Sequence, residues 1–101
     1  MKNIAVIGSG ISGISAAYYL NKLNYDVSIY ESNDYFGGHT NTQELEIDGV
    51  KSPVDTGFLV HNDRNYPNLI DFFNELGIKT FPSEMSFSVM SKSDGITWAG
   101  S

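Results

Sequence analysis

Apolar positions along this chain change their period, and each change marks a new element. Ile4-Ala5-Val6-Ile7 is a continuous apolar run, so residues 3–8 are expected to form a strand covered on both faces, as in a parallel sheet. From residue 11 onward, Ile11, Ile14, Ala17, Tyr18 and Leu20 fall at helical spacing, with Ser15, Asn21 and Lys22 turned outward. That pattern predicts a helix over residues 11–23, with Asn24 as its C-cap. Residues 26–31 read as a second strand, which right-handed crossover sets beside the first.

The pattern then becomes antiparallel. Thr42 to Ile47 alternate, Asp48-Gly49 supplies a two-residue hairpin turn, and Val50 to Val54 return. Asp55 to Val60 reads as another extended segment. Tyr66-Pro67 opens a second helix whose buried stripe is Leu69, Ile70, Phe72, Phe73 and Leu76, and Gly77 ends it. Ile78 to Phe81 is expected to be short and extended. Phe87 and Val89, with Met85 before them, alternate with serines; Asp94-Gly95 turns, and Ile96 to Trp98 pair back. The fold class is therefore α/β: a Rossmann-like βαβ unit followed by antiparallel hairpins and one helix.

Between the first strand and the first helix lies Gly8-Ser9-Gly10-Ile11-Ser12-Gly13. The three glycines differ in purpose. Gly8 turns the chain out of the strand, Gly10 lets backbone approach a pyrophosphate, and Gly13 lets helix lie close on strand. Free N–H groups at a helix start, with roughly half a positive charge from the macrodipole, form an anion site without any basic side chain. Glu31 closes the second strand, where a carboxylate can accept the hydrogens of an adenosine ribose and repel a 2′-phosphate. Strand, turn, helix, strand and acid in that order point to dinucleotide binding. The next loop carries Gly37-Gly38, expected to make a second close backbone approach to the same ligand, although a glycine pair also suits a merely flexible loop.

Composition removes several classes. Six Lys and Arg against twelve Asp and Glu give a net charge of −6, and a nucleic-acid partner would need a basic stripe that is absent. There is no cysteine, hence no disulfide and no thiol-linked flavin, and two histidines alone give zinc nothing to build on. The glycines interrupt the early apolar run, so no signal peptide is expected there. No run reaches the roughly 18 apolar residues of a membrane span, and the cytoplasm is the default compartment. A chain of 101 residues is one domain at most, and the motif supplies two parallel strands where a doubly wound sheet has about five or six. The expectation is an incomplete portion of a larger dinucleotide-binding fold.

With Gly8 to Gly13, Glu31 and Gly37-Gly38-His39 in place, the chain resembles the FAD-dependent amine oxidoreductases, the superfamily of monoamine oxidases and phytoene desaturases. Asp55-Thr56-Gly57-Phe58-Leu59-Val60-His61-Asn62, Tyr66-Pro67-Asn68-Leu69, Leu76-Gly77-Ile78 and Met85-Ser86-Phe87-Ser88-Val89 look most like a bacterial subgroup described as predicted NAD/FAD-binding proteins. The resemblance spans the whole chain as the N-terminal part of such an enzyme. Residues 1–40 would be the dinucleotide-binding unit with its Gly-Gly loop, and residues 41–101 a hairpin, a helix and the start of the substrate-domain sheet. It implies FAD, with the pyrophosphate on Gly8, Gly10 and Gly13 and the ribose on Glu31. Gly37 and Gly38 would lie beside the pyrophosphate and ribityl chain, and Gly57 near the flavin. The implied cofactor-binding set is Gly8, Ser9, Gly10, Ile11, Ser12, Gly13, Glu31, Ser32, Gly37, Gly38, His39, Thr40 and Gly57. His39 stands where many relatives carry Arg.

Other residues read more plainly. Ser9 and Ser12 either bond phosphate or cap the helix. His61 could reach a substrate but fits a solvated loop. Phe72, Phe73, Phe81, Phe87 and Trp98 could line an apolar pocket, yet their periodicity suits core, as does that of Met85 and Met90. No G-x-S-x-G nucleophile and no catalytic base is evident, so the 101 residues alone are not expected to be catalytically competent. Three functions compete. The first is a flavoprotein that takes hydride from an unidentified small molecule. The second is an NAD-dependent dehydrogenase, which the Gly-Gly pair and the early hairpin disfavour. The third is a non-catalytic truncated fragment.

Overall fold

Two helices and three two-stranded sheets make up the computed structural model, which describes residues 2–100. In chain order they are β1 (Asn3–Ile7), α1 (Ile11–Lys22), β2 (Asp26–Tyr30), β3 (Thr40–Ile47), β4 (Val50–Gly57), α2 (Pro67–Leu76), β5 (Phe87–Ser91) and β6 (Ile96–Gly100). The chain divides into two compact units, Met1–Pro67 and Asn68–Ser101.

In the first unit β1 and β2 pair in parallel, Asn3 opposite Asp26 through Ile7 opposite Tyr30, and α1 makes the crossover and packs on both. The helix ends through its backbone. Asn24 adopts φ 65°, its N–H bonds the Asn21 carbonyl at 3.0 Å, and the Tyr25 N–H reaches the Leu20 carbonyl at 3.1 Å. This doubly bonded left-handed ending is the stop expected of Asn24.

Ala17 is the buried apolar centre of α1, with Ile14, Tyr18 and Leu20 half-buried; Ile11 is exposed and Ser15 half-buried, against expectation. β1 is likewise covered on one face only. Ile4 and Val6 are half-buried while Ile7 is 81% exposed, because one helix shields one side of a two-stranded sheet.

The β3–β4 hairpin starts and ends beyond the alternating stretch, pairing Thr40 with Gly57 and Ile47 with Val50. Asp48 and Gly49 take φ 52° and 79°, the two left-handed residues that a tight hairpin turn needs. Asp55 to Gly57 therefore continue β4, and only Phe58 to Val60 leave it. Phe58 meets Tyr66 edge-on, with ring centroids 5.8 Å apart.

In the second unit α2 buries Phe72 and half-buries Leu69, Ile70 and Phe73, while Leu76 is exposed. Gly77 stops it as Asn24 stops α1, with the Ile78 N–H on the Phe73 carbonyl at 2.9 Å. The stretch from Ile78 to Phe81 has no regular structure. β5 and β6 pair from Phe87 opposite Gly100 to Ser91 opposite Ile96. The core expected of the aromatics fails here: Phe81, Phe87, Trp98, Met85 and Met90 are all exposed. A two-stranded ribbon leaves its side chains largely in solvent, and Phe87 and Trp98 cover each other across it, with centroids 5.1 Å apart.

Candidate functional site

The site is built at the end of β1. Gly8 extends the sheet by one bond, its N–H to the Tyr30 carbonyl at 2.8 Å, then leaves it with φ 96°, a conformation that disfavours any side chain. Gly10 is the N-cap of α1 and brings no side-chain cap; the first helical bond runs from the Ile14 N–H to the Gly10 carbonyl at 2.9 Å. The N–H groups of Ile11, Ser12 and Gly13 therefore stand outside the helix ladder, at the positive end of the helix.

Two of the glycines here are glycine for opposite reasons. A Cβ on Gly13 would collide with the Gly8 carbonyl oxygen, so Gly13 is needed for the helix to lie on the turn. A Cβ on Gly10 would meet nothing within 4 Å. The backbone conformation of Gly10, φ −70° and ψ −178°, is one that any residue can adopt. Nothing among the described residues explains Gly10, and the space beside it is open to a ligand that needs close backbone approach.

Ser9, between these glycines, is fully buried and is the hub of the site. Its N–H donates to Glu31 Oε1 at 3.0 Å, and its hydroxyl donates to the same oxygen. The Asn33 N–H donates to Glu31 Oε2 at 3.1 Å. These donors, the Ser9 hydroxyl foremost, then the Asn33 and Ser9 amides, hold the Glu31 carboxyl below the usual glutamate range. Glu31 is thus ionised and fixed at the rim of the turn, beside the helix start. The Ser9 hydroxyl proton is directed to Glu31, and its side chain does not cap α1. Ser12 lies in the first turn of α1, exposed, and its carbonyl accepts from the Ser15 hydroxyl at 3.2 Å.

The Gly-Gly loop closes onto this hub. The Gly37 N–H donates to the Ser9 carbonyl at 2.9 Å, and a Cβ on Gly38 would lie 3.1 Å from the Gly10 Cα. Two glycine backbones therefore meet face to face, and Gly38 walls the turn. On its other side the Gly37 carbonyl accepts from the N–H of Thr40 at 3.0 Å and from the Thr40 hydroxyl. Thr40, His39 and Gly57 belong to the open end of the hairpin. Phe58 donates its N–H to the His39 carbonyl at 3.2 Å, and a Cβ on Gly57 would strike that carbonyl. The structure thus joins Gly8 to Gly13, Glu31, Gly37 and Gly38 directly, and Thr40, His39 and Gly57 follow from the Gly37-Gly38 loop at the open end of the hairpin. Ser32 is exposed beside Glu31.

The sequence reading missed Asn33 and the Ser9–Glu31 bond. A signal existed for the first, since an acid often bonds an N–H two residues on where a strand gives way to a polar turn. The second needed three-dimensional knowledge that Ser9 points inward.

A turn of this geometry, with an ionised acid at the end of the adjacent parallel strand, invites comparison with known proteins. A family profile described as an NAD(P)-binding Rossmann-like domain matches residues 6–76. The chain belongs to that family. This Rossmann-like domain is 36% identical, over 91% of its residues, to 1-hydroxycarotenoid 3,4-desaturase of a Flavobacterium species, covering 17% of that protein. It is 29% identical, over 93% of its residues, to the flavin-dependent L-tryptophan oxidase of Lentzea aerocolonigenes, covering 19% of it. Among solved structures, putrescine oxidase bound to putrescine matches 99% of the chain with a TM-score of 0.62 at 29% identity, over 21% of its own length. The chain spans about a fifth of these relatives. The similarity to desaturases and oxidases is the one that the glycine motifs implied.

No helix among the described residues is long and apolar enough to cross a membrane. Among the same residues no group of three or more His, Cys, Asp or Glu could hold a metal ion.

Proposed function

We propose that this chain is the FAD-binding part of a flavoprotein oxidoreductase. The observation that carries the reading is Gly10: a glycine without steric cause among the described residues, opening onto free space at the helix start. Beside it stand amides outside the helix ladder and, at the rim, an ionised acid. That set fits a diphosphate followed by a ribose, and a carboxylate in that position repels a 2′-phosphate.

In this reading the N–H groups of residues 11–13 hold the pyrophosphate and Glu31 takes the ribose. Ser9 and Ser32 lie beside Glu31, and Gly8 shapes the turn. Gly37 and Gly38 flank the pyrophosphate and ribityl chain, and His39, Thr40 and Gly57 lie toward the flavin. Residues 1–40 are the dinucleotide-binding unit, and residues 41–101 lead into the substrate-domain sheet. Bound FAD would supply the capacity to accept hydride from a C–H or C–N bond, and these residues bind and orient it. The relatives act on a carotenoid, an amino acid and a diamine by name, so the substrate is assigned here no further than a small molecule oxidised at such a bond. The compartment assigned is the cytoplasm.

A nicotinamide enzyme with the same turn is the competing reading. The antiparallel hairpin that follows β2, where such a fold continues with a parallel strand, favours flavin. Reconstitution with FAD, then removal of the excess, should leave the flavin absorbance bands with the purified intact protein. A folded protein that stays colourless, or one that binds NADH tightly and FAD not at all, overturns the reading.

A further inference from the structure

Beyond the nucleotide cradle, the chain carries an exposed Phe87–Trp98 face, the Gly37 crossing into the hairpin, and the buried hydroxyl of Ser9. Only the last has partners that fix what it does. We propose that Ser9 is a positioning residue that sets the sugar selectivity of the site by clamping Glu31, without touching the ligand itself. The inference rests on the nucleotide reading and deepens it.

Lone pairs on the carboxylate decide what remains for a ligand. An ionised carboxylate offers about four acceptor sites. Both sites of Glu31 Oε1 are taken by one residue, through the Ser9 N–H at 3.0 Å and the Ser9 hydroxyl. Oε2 accepts the Asn33 N–H at 3.1 Å, the Ser32 amide also acts on the carboxylate, and Oε2 is the oxygen that Ser9 leaves to a sugar hydroxyl. A glutamate side chain is long and rotamer-rich, and without a clamp it would spend its time over many conformers. Ser9 removes that freedom before any ligand arrives, so the hydroxyl it meets is met in one geometry, which is preorganisation.

Ser9 can do this because it is itself immobile. It is fully buried, and its carbonyl holds the Gly37 N–H at 2.9 Å while its hydroxyl oxygen lies 3.4 Å from the same nitrogen. An alanine there would leave the amide bond to Oε1 and delete the hydroxyl one. The groups that act on the carboxylate, Ser9 from the turn and the amides of Asn33 and Ser32 from the loop, are uncharged, so hydrogen bonding rather than ion pairing sets its orientation and acidity.

The test uses ADP, as the adenosine half of the dinucleotide, against 2′,3′-dideoxy-ADP, on the intact protein by calorimetry. The unmutated protein should bind ADP at least roughly tenfold more tightly than the dideoxy analogue, the value of a hydrogen bond to a charged group. Ser9→Ala should shrink that ratio to about threefold or less, ADP losing more affinity than the dideoxy analogue, and Ser9→Ala added to Glu31→Ala should change it no further. A Ser9→Ala protein that keeps the full ratio, or that loses both ligands equally, overturns the inference and leaves nucleotide binding standing. Absence of ADP binding to the unmutated protein overturns the nucleotide reading itself. Where alanine prevents folding, NMR titration of the Glu31 carboxyl in the unmutated protein decides. A value below the ordinary glutamate pKa of about 4.3 is expected, and one at or above it overturns the clamp.

Discussion

The turn at residues 8–13 and the β5–β6 ribbon are built by opposite rules. At the turn, Ser9 is fully buried and its backbone and hydroxyl polar groups bond within the same unit. On the ribbon, Phe87, Val89, Met90, Ile96 and Trp98 are each more than half exposed, and Phe87 and Trp98 shelter one another across the two strands. The comparison teaches that polar satisfaction can be completed locally while apolar cover cannot. A hydrogen bond needs one partner, which a neighbouring turn supplies, whereas hiding a strand face needs an entire second layer.

The sharpest way to break the comparison is at Gly13. Gly13→Val should destabilise the chain by about 3 kcal/mol or more and abolish FAD retention, because its side chain must enter the Gly8 carbonyl. Urea unfolding with flavin absorbance measures both, and a stable, yellow variant would mean that the helix does not rest on the turn. Gly57→Ala should cost somewhat less, about 2 kcal/mol, since it combines φ 78° with a collision at the His39 carbonyl that the hairpin end can partly relieve.

Glu31→Ala should leave the fold intact and weaken FAD by roughly tenfold or more, read by equilibrium titration. The same residue sets an acid limit. Its folded pKa lies below the unfolded one, so its contribution is fully present above the unfolded value of about 4.3 and is lost as pH falls through the folded value. Glu31→Gln should accordingly lose less stability than the unmutated protein on acidification through that range. The smallest effect belongs to the ribbon. Trp98→Ser should change stability by less than about 1 kcal/mol and FAD affinity by less than about twofold, because the pair it removes is half in water. A large loss of FAD affinity there would erase the distinction between the two regions.

What could be read in advance follows the same division. Asn24 and Gly77 announce helix ends and Asp48-Gly49 announces a hairpin, because each is a backbone conformation that few residues tolerate. That Gly13 and Glu31 come to the same turn was legible from their places in the strand, turn, helix and strand order. The burial of Phe81, Phe87 and Trp98 was misread, since alternation tells which side of a strand is apolar and says nothing of whether anything covers it. The inward hydroxyl of Ser9 was invisible: a small polar residue between glycines reads the same whether it faces solvent or an acid brought next to it by a parallel strand pairing.

Gly37 ties the two ends of the first unit together, with its amide on Ser9 and its carbonyl on Thr40 at the first rung of the hairpin. A slip of one rung in that ladder would drag Thr40 and pull the glycine off the serine, so strand register is transmitted to the shape of the glycine turn. The hairpin thus serves as a ruler: the spacing of its rungs decides how tightly a loop twenty-eight residues downstream of Ser9 can be drawn against it.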